Sequence, residues 1–335
     1  ESLDTVIAGY DWKAGDEAVM AMQDYGAMLD MFKLQARRYG IVNKIVSIPN
    51  HPNSDEEIVE IYEKAITPKT RLLMVCHMIN ITGHILPIRK ICDMAHKKGV
   101  EVLVDGAHAI GHFAFDIKEL HCDYYGSSLH KWLSAPLGAG LLYINKDKIS
   151  GLWPMFGDFG YPLENIRRMN HTGTHPVATD LAIVDAIDFH NMIGITRKEA
   201  RLRYLQEYWT LKVRDIPNIM VNTPKESHRA CGIANVGIKV GCFEWLHDKH
   251  IGAERDIDAQ SIGEYARELF FGKRSPFKKM VQKASIRVPK RYKSLGWKGY
   301  GLFVADNVRD ILATMVPDLS LQQHEVSPLI VSILA

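Results

Sequence analysis

One short stretch of the chain, Glu101–Tyr143, concentrates side chains that could do chemistry. Val102–Val104 is an apolar β-branched run that ends on Asp105, which places a carboxylate at the carboxyl end of a predicted buried strand. A second such run, Cys122–Gly126, is followed by a loop that contains Lys131. Because ligands of open α/β sheets bind outside the carboxyl ends of the strands, we expect the acid and the amine to share one crevice.

Three more polar side chains, His108, Ser128 and His130, follow the same two strands and are expected in that crevice. A lysine beside a loop of small residues, with an aspartate on a neighbouring strand, is what pyridoxal 5′-phosphate chemistry requires. The lysine forms a Schiff base with the cofactor aldehyde, and the aspartate pairs with the protonated pyridine nitrogen so that the ring acts as an electron sink. The residue types therefore predict a pyridoxal 5′-phosphate enzyme.

The order of these residues also carries a family resemblance. The pattern D-G-A-H-x-x-G-H, followed by C-D-Y-Y-x-x-S-x-H-K-W-L-x-A-P-x-G-x-G, resembles the class V, cysteine desulfurase-like branch of fold-type I pyridoxal 5′-phosphate enzymes. Within that branch the chain is similar to the isopenicillin-N epimerase-like group. The resemblance runs from Glu1 to about Val240 and fades beyond it.

The resemblance implies an α/β fold, in which a fold-type I large domain has a mostly parallel sheet with helices on both faces. Residues 1–195 are expected to form this domain, and residues 196–335 a linking helix and a small α+β C-terminal domain that diverges after about residue 241. The opening residues resemble the helix that follows the phosphate-binding Asn-x-Thr turn of the family. We therefore expect an N-terminal part of the family domain, including that turn, to lie outside this sequence.

Hydrophobic periodicity along the chain agrees with such a sheet, because alternating strands and helices imply parallel strands with right-handed crossovers. The predicted strands are Glu17–Met22, Ile41–Ile48, Arg71–Met78, Val102–Val104, Cys122–Gly126, Ile219–Val221 and Cys231–Val240. The predicted helices are Glu1–Ala8, Met28–Tyr39, Asp55–Ala65 with Ser54 as N-cap, Pro87–Lys98, a long helix that follows Thr174 and ends at Met192, and Thr196–Val213.

The resemblance assigns a role to each residue of the central motif. Lys131 holds the cofactor and, once the substrate has released it, carries the proton at the α-carbon. Asp105 pairs with the pyridine nitrogen, and His108 reaches the phenolic oxygen. Ser128 and His130 match the phosphate ligands of the family. His112 and His121, in contrast, are interpreted as ordinary loop or surface histidines, and His77 and His84 as structural or solvent-facing.

Four further site residues are implied outside the motif. Tyr25 is expected to stack on the cofactor ring, and its simpler interpretation is a half-buried tyrosine at the end of a strand. Asn80 is expected to bond the phenolic oxygen or the substrate carboxylate, and its simpler interpretation is an Asx-turn residue. Thr174 would contact the phosphate bound in the other subunit of a homodimer, and it could also cap a helix. Arg287 is the candidate clamp for the substrate carboxylate. No metal ligand set is predicted.

Composition sets broad limits on the class of protein. At 335 residues, with 47% apolar and 24% charged residues, the chain is typical of a soluble globular protein. A net charge of +2 gives no general case for nucleic-acid or membrane binding, and no apolar run reaches the roughly 20 residues of a membrane helix. Five scattered cysteines fit a reducing compartment, which favours a cytoplasmic location.

The function expected from these features is chemistry at the α-carbon of an amino acid or amino-acid-derived substrate, of the epimerase or aminotransferase type. The alternative among enzymes is a C–S lyase or desulfurase. A desulfurase needs an exposed reactive thiol, which the family places near the C-terminal arginine, and no cysteine follows Cys242. A catalytically impaired member that serves as a dimer partner stays open as another class. Nucleic-acid binding through the basic run near Arg287 is a weak alternative, since the chain has no aromatic platforms and no recognised module for it, and we expect neither a nucleic-acid nor a membrane partner.

Overall fold

The computed structural model of the protein describes residues 1–157, 160–170, 177–216 and 219–238. These residues belong almost entirely to one compact unit, Glu1–Gly237. The predicted domain boundary near residue 195 and the small C-terminal domain stay predictions.

A six-stranded sheet forms the centre of this unit, with the strand order β2-β1-β3-β4-β5-β6. The strands are β1 (Glu17–Ala21), β2 (Val42–Val46), β3 (Thr70–Cys76), β4 (Glu101–Asp105), β5 (Tyr124–Ser128) and β6 (Gly140–Ile144). The first five are parallel to one another, and β6 pairs antiparallel with β5 at the edge. Strands β1, β3 and β4 are buried along nearly their whole length, as expected for a sheet that is covered on both faces.

Helices cover both faces of the sheet and confirm the predicted fold class. They are α1 (Ser2–Gly9), α2 (Gly26–Tyr39), α3 (Asp55–Ala65), α4 (Ile88–Lys97), α5 (Ala178–Ile193) and α6 (Ile195–Val213). One core joins α1 and α2 to the sheet through residues such as Ile7 and Phe32. The other core joins α3 and α4 to the opposite face through residues such as Tyr62 and Ile91. Alternate strand residues point into the two cores, because successive side chains of a strand face opposite sides.

Local chemistry explains the ends of these helices. The Ser54 side chain accepts the backbone N–H of Glu57 at 3.1 Å, so it caps α3 as predicted. Helix α2 ends at Gly40, which adopts the left-handed conformation (φ 72°) that glycine takes without a steric penalty. These positions need no tertiary information, since they follow from residue type alone.

Two predicted strands differ from the structure. The predicted strand Cys122–Gly126 is shifted, because the ladder with β4 begins at Tyr124 and β5 extends to Ser128. The predicted strand Cys231–Val240 is wrong at its start. Of its residues that the structure describes, 231–238, only Val236–Ile238 form a strand, β8, which pairs with β7 (Ile219–Val221). The amide of Gly232 is instead donated to a histidine ring, which removes it from any ladder.

No helix among the described residues is both long enough and apolar enough to cross a bilayer.

Candidate active site

The carboxyl ends of β1, β3, β4 and β5 meet at one edge of the sheet and place the predicted site residues there. Asp105 is the last residue of β4, and in the register of the sheet it lies between Cys76 of β3 and Gly126 of β5. Lys131 follows β5 after a short connection. The acid and the amine therefore reach the same edge from neighbouring parallel strands, as expected for the ligand site of an open α/β sheet.

Asp105 is almost completely buried, with 5% of its surface exposed. One carboxylate oxygen accepts the N–H of Ala107 at 3.0 Å, and the other lies 4.0 Å from the Cys76 thiol. Burial raises the pKa of the carboxyl, while the Ala107 amide and the Lys131 charge act in the opposite direction. A buried carboxylate with no cationic hydrogen-bond partner among the described residues favours a ligand that brings a positive charge.

The Lys131 amine lies inside the site rather than in bulk water. The side chain is half-buried, and its Nζ atom is 3.0 Å from Nε2 of His108. Burial lowers the pKa of the amine, against the opposing influence of the Asp105 charge. A lysine with a lowered pKa is a better nucleophile and base near neutral pH, because more of it is uncharged.

The other ring nitrogen of His108 is also engaged. Its Nδ1 atom accepts the indole N–H of Trp132 at 3.2 Å. Burial first, and the nearby Lys131 charge second, lower the pKa of His108 to about 4. His108 is therefore a neutral imidazole at physiological pH, held between the indole and the lysine.

His112 contradicts the interpretation of this residue as an ordinary loop or surface histidine. It is fully buried, and its ring stacks on Trp132 with 3.6 Å between the ring centroids and 21° between the planes. Its Nδ1 atom is 2.7 Å from the His108 carbonyl oxygen, and its Nε2 atom accepts the N–H of Gly232 at 2.8 Å. The four-residue spacing of His108 and His112 within the motif was the available signal, but the stacking partner comes from a different loop.

Ser128 and His130 lie at the end of β5 and directly beyond it. The Nδ1 atom of His130 is buried and has no hydrogen-bond partner among the described residues. The neighbouring Ser127 hydroxyl donates its proton to the Gly106 carbonyl at 2.9 Å. An orphaned buried ring nitrogen is costly unless a ligand satisfies it, so His130 fits the predicted role at a phosphate.

The remaining predicted residues divide into two groups. Tyr25 directly precedes α2 and is 54% exposed, and Asn80 is half-buried in the turn after β3. Both therefore lie at the same edge as Asp105, since they follow the carboxyl ends of parallel strands. Thr174 and Arg287 lie outside the described residues, and their roles stay predictions.

Two buried pairs behind the site were missed from the sequence. The His77 ring lies 3.0 Å from the Tyr125 hydroxyl, and both side chains are buried under the carboxyl edge of the sheet. Asp24 is 4% exposed and accepts the N–H of Ala21 at 2.7 Å. His77 is thus structural, one of the two interpretations given for it. His77 gives no local signal of its burial, because its Tyr125 partner lies 48 residues further along the chain. Asp24 bonds to an amide only three residues before it, so a turn residue directly after the strand was the available signal.

Comparison with known proteins gives the family. The profile of the aminotransferase class-V family matches residues 1–275. The chain belongs to this family. Isopenicillin N epimerase of Amycolatopsis lactamdurans is 34% identical over 211 residues, which cover 58% of this chain and 53% of that enzyme. Isopenicillin N epimerase of Streptomyces clavuligerus is 30% identical over 237 residues, covering 66% and 60%. The matched part thus spans little more than half the length of these relatives.

Solved structures agree with the fold. A cysteine desulfurase from Thermococcus onnurineus superposes with a TM-score of 0.64 at 23% identity, over 74% of this chain and 64% of the other. The cystine C–S lyase C-DES superposes with a TM-score of 0.63 at 21% identity, over 82% and 80%. Pyridoxal 5′-phosphate is the cofactor of the class V family and of this chain. Two features fit this cofactor. Among the described residues, the Asp105 carboxylate accepts the Ala107 amide but has no cationic partner, and the buried Nδ1 atom of His130 has no hydrogen-bond partner.

Proposed function

We propose that this protein acts at the α-carbon of an amino acid or amino-acid-derived substrate, with epimerase-like or aminotransferase-like chemistry. One observation carries the proposal: the Lys131 amine lies 3.0 Å from a neutral His108, at the sheet edge where the buried Asp105 ends β4. The similarity to two isopenicillin N epimerases at 30% identity or more supports this direction among class V activities.

The residues divide the work between holding the cofactor and moving a proton. Asp105 would hold the pyridine nitrogen, and Ser128 and His130 would hold the phosphate. When bound, the cofactor supplies an electron sink for the electron pair that remains when the α-proton departs. Lys131 would take this proton, and burial favours that role because it lowers the pKa of the amine towards neutrality. Tyr25 would cover one face of the cofactor ring.

Deuterium exchange at the α-carbon tests the proposal. The protein, loaded with cofactor, is incubated in deuterated water with a panel of L- and D-amino acids, while pyruvate and sulfide are measured in parallel. Deuterium incorporation that Lys131→Ala abolishes supports the proposal, and inversion of configuration identifies an epimerase. Absence of exchange across the panel, in a protein that does hold the cofactor, would refute α-carbon chemistry.

The alternative function is that of a C–S lyase or a desulfurase. The chain is also similar, at lower identity, to a probable cysteine desulfurase, and for this reason the assay measures pyruvate and sulfide. The four cysteines among the described residues are Cys76, Cys92, Cys122 and Cys231, and all are buried. Burial raises the pKa of each of these thiols. None of them has the exposed, low-pKa character of a reactive sulfur acceptor, which argues against a desulfurase more than against a lyase. Pyruvate and sulfide release would identify the lyase.

A protein that stays colourless after incubation with the cofactor would support a third possibility, a non-catalytic dimer partner.

A homodimer is also part of our proposal for the active form. The support is the exposure of five large apolar side chains on α5, which are Leu181, Val184, Ile187, Phe189 and Met192. Exposed apolar side chains in such number on one helix favour an interface. The partner subunit's Thr174 would then complete each phosphate site.

Analytical ultracentrifugation tests the homodimer. Leu181→Asp places a charge on the 70% exposed leucine of α5 and should convert a dimer into a monomer. The matched control is Leu34→Asp on α2, where the leucine is 45% exposed. A monomeric wild-type protein, or a dimer that both variants leave intact, would contradict the proposed interface.

A further inference from the structure

The indole of Trp132 decides where the proton of His108 lies. An indole nitrogen can only donate a hydrogen bond, and Trp132 donates to Nδ1 of His108 at 3.2 Å. Nδ1 therefore carries no proton, which excludes both the cationic imidazolium and the Nδ1–H tautomer. The single proton of the neutral ring must lie on Nε2.

This proton faces the lysine. Nε2 of His108 is 3.0 Å from Nζ of Lys131, so the N–H group donates to the amine. An amine can accept a hydrogen bond only when it is uncharged, because an ammonium group has three donors and no lone pair. The geometry is consistent only with a neutral lysine, and protonation of the amine would set two donors against each other.

His112 holds the indole in the position that this arrangement needs. Its ring stacks on Trp132 at a centroid distance of 3.6 Å. Its own protonation is also fixed, since Gly232 donates to Nε2 and the remaining proton on Nδ1 is donated to the His108 carbonyl. The Lys198 ammonium donates to the Trp132 carbonyl and secures the backbone of the same loop.

We propose that Trp132, backed by His112, is a positioning residue that fixes His108 as the Nε2–H tautomer and thereby holds the Lys131 amine uncharged and directed into the site. The inference rests on the proposed role of Lys131 as the residue that carries the cofactor. The direction of these hydrogen bonds, in addition to burial, keeps the Lys131 amine uncharged before the cofactor binds.

Three charged side chains, Asp105, Lys198 and Arg203, also act on Lys131 and His112. The Asp105 carboxylate acts on Lys131 and favours the ammonium form, so it opposes the effect of the indole. Burial raises the pKa of the Cys76 thiol well above its ordinary value, so Cys76 contributes no charge at neutral pH. Lys198 and Arg203 act on His112 and favour its neutral form, as burial does. Without the indole donor, Nε2 of His108 no longer has to carry the proton. The Asp105 carboxylate should then favour the charged form of Lys131.

The first test measures the tautomer in the cofactor-free protein. Nitrogen-15 NMR of labelled histidine distinguishes a protonated ring nitrogen from an unprotonated one, and a His108→Gln sample assigns the signals. At pH 7 we expect His108 with the proton on Nε2 and His112 with the proton on Nδ1. A wild-type His108 that is cationic, or that carries its proton on Nδ1, would overturn the inference without reference to any indole variant.

The second test measures the charge of Lys131 in the same cofactor-free protein. The rate at which an amine reagent modifies Lys131, followed by peptide mass analysis as a function of pH, gives the midpoint of its titration. Trp132→Phe keeps a ring for His112 to stack on but removes the donor, and we expect the midpoint to rise by about one pH unit, with a roughly tenfold loss of reactivity at pH 7. Trp153→Phe, at an indole that is 66% exposed, is the matched control and should leave the midpoint unchanged.

An unchanged midpoint in Trp132→Phe would also overturn the inference, since burial alone would then set the charge of the lysine. Neither measurement depends on turnover. A protein that shows the expected tautomer and midpoint but exchanges no α-proton would refute the proposed function and leave the positioning role of Trp132 intact.

Discussion

Asp24 gives the sharpest test of the electrostatics behind the site. Its carboxylate is 4% exposed, at the carboxyl end of β1, and accepts the N–H of Ala21. Burial, and to a smaller extent the charge of Asp105, raise the pKa of Asp24 from 3.8 to about 7, while hydrogen bonds from Ala21 and Cys76 act in the opposite direction. The group is therefore protonated in the folded protein under conditions that ionise it in the unfolded chain.

The sign and size of the effect follow from this difference. Because the pKa is raised on folding, the stability that protonated Asp24 contributes is fully present below pH 3.8 and is lost as the pH rises to about 7. Each pH unit within that window corresponds to about 1.4 kcal/mol, so the loss between pH 5 and pH 8 is about 3 kcal/mol. Asp24→Asn keeps an acceptor for the Ala21 amide but carries no charge, and it should remove this loss.

Urea unfolding of the cofactor-free protein, followed by tryptophan fluorescence at pH 5 and pH 8, measures the effect. We expect Asp24→Asn to gain about 3 kcal/mol relative to the wild type between these two pH values. Asp30→Asn is the matched control, since the side chain of Asp30 is 74% exposed and paired with Lys33 on the surface, and it should follow the wild-type pH dependence. Parallel pH profiles for the wild type and Asp24→Asn would refute the reasoning.

Two further predictions concern local packing and capping. In Gly106→Ala the new Cβ atom would lie 2.1 Å from the ring of the buried Tyr125, so the free energy of unfolding in urea should fall by about 1–3 kcal/mol. Gly151→Ala, with no atom within 4 Å of its new Cβ, is the control and should lose little stability. Equal losses in the two variants would contradict the predicted clash. Ser54→Ala removes the acceptor of the Glu57 amide and should cost about 1 kcal/mol by the same assay, and an unchanged midpoint would show that the cap contributes nothing.

The fold was largely predictable because its determinants are local. The helix Asp55–Ala65, with Ser54 as its cap, was predicted to the residue, since capping and periodicity are properties of neighbouring residues. The apolar run from Cys231 was assigned to a strand, but Cys231 packs in a small core and the Gly232 amide is donated to His112. An apolar run reports burial, and only its hydrogen-bond partners decide whether it is a strand.

The candidate site was predictable in its types of residue and less so in its contacts. The sequence placed Asp105 and Lys131 at the ends of neighbouring strands, and the structure brings them to one edge of the sheet. The interpretation of His112 as an ordinary loop or surface histidine is wrong, because burial of a histidine depends on distant partners such as Trp132 and Gly232. The order of residues in the motif therefore indicates which strand end carries each side chain. The stacking of His112 on Trp132 and the tautomer of His108 follow only from the tertiary structure.

The attachment of the cofactor to one lysine is the central claim, and a chemical trap tests it most directly. The protein is loaded with pyridoxal 5′-phosphate, reduced with borohydride, digested and mapped by mass spectrometry. We expect a single pyridoxyl group on the peptide that contains Lys131, and none in Lys131→Ala. A reduced cofactor on a different lysine, or a saturated protein without any covalent label, would contradict it.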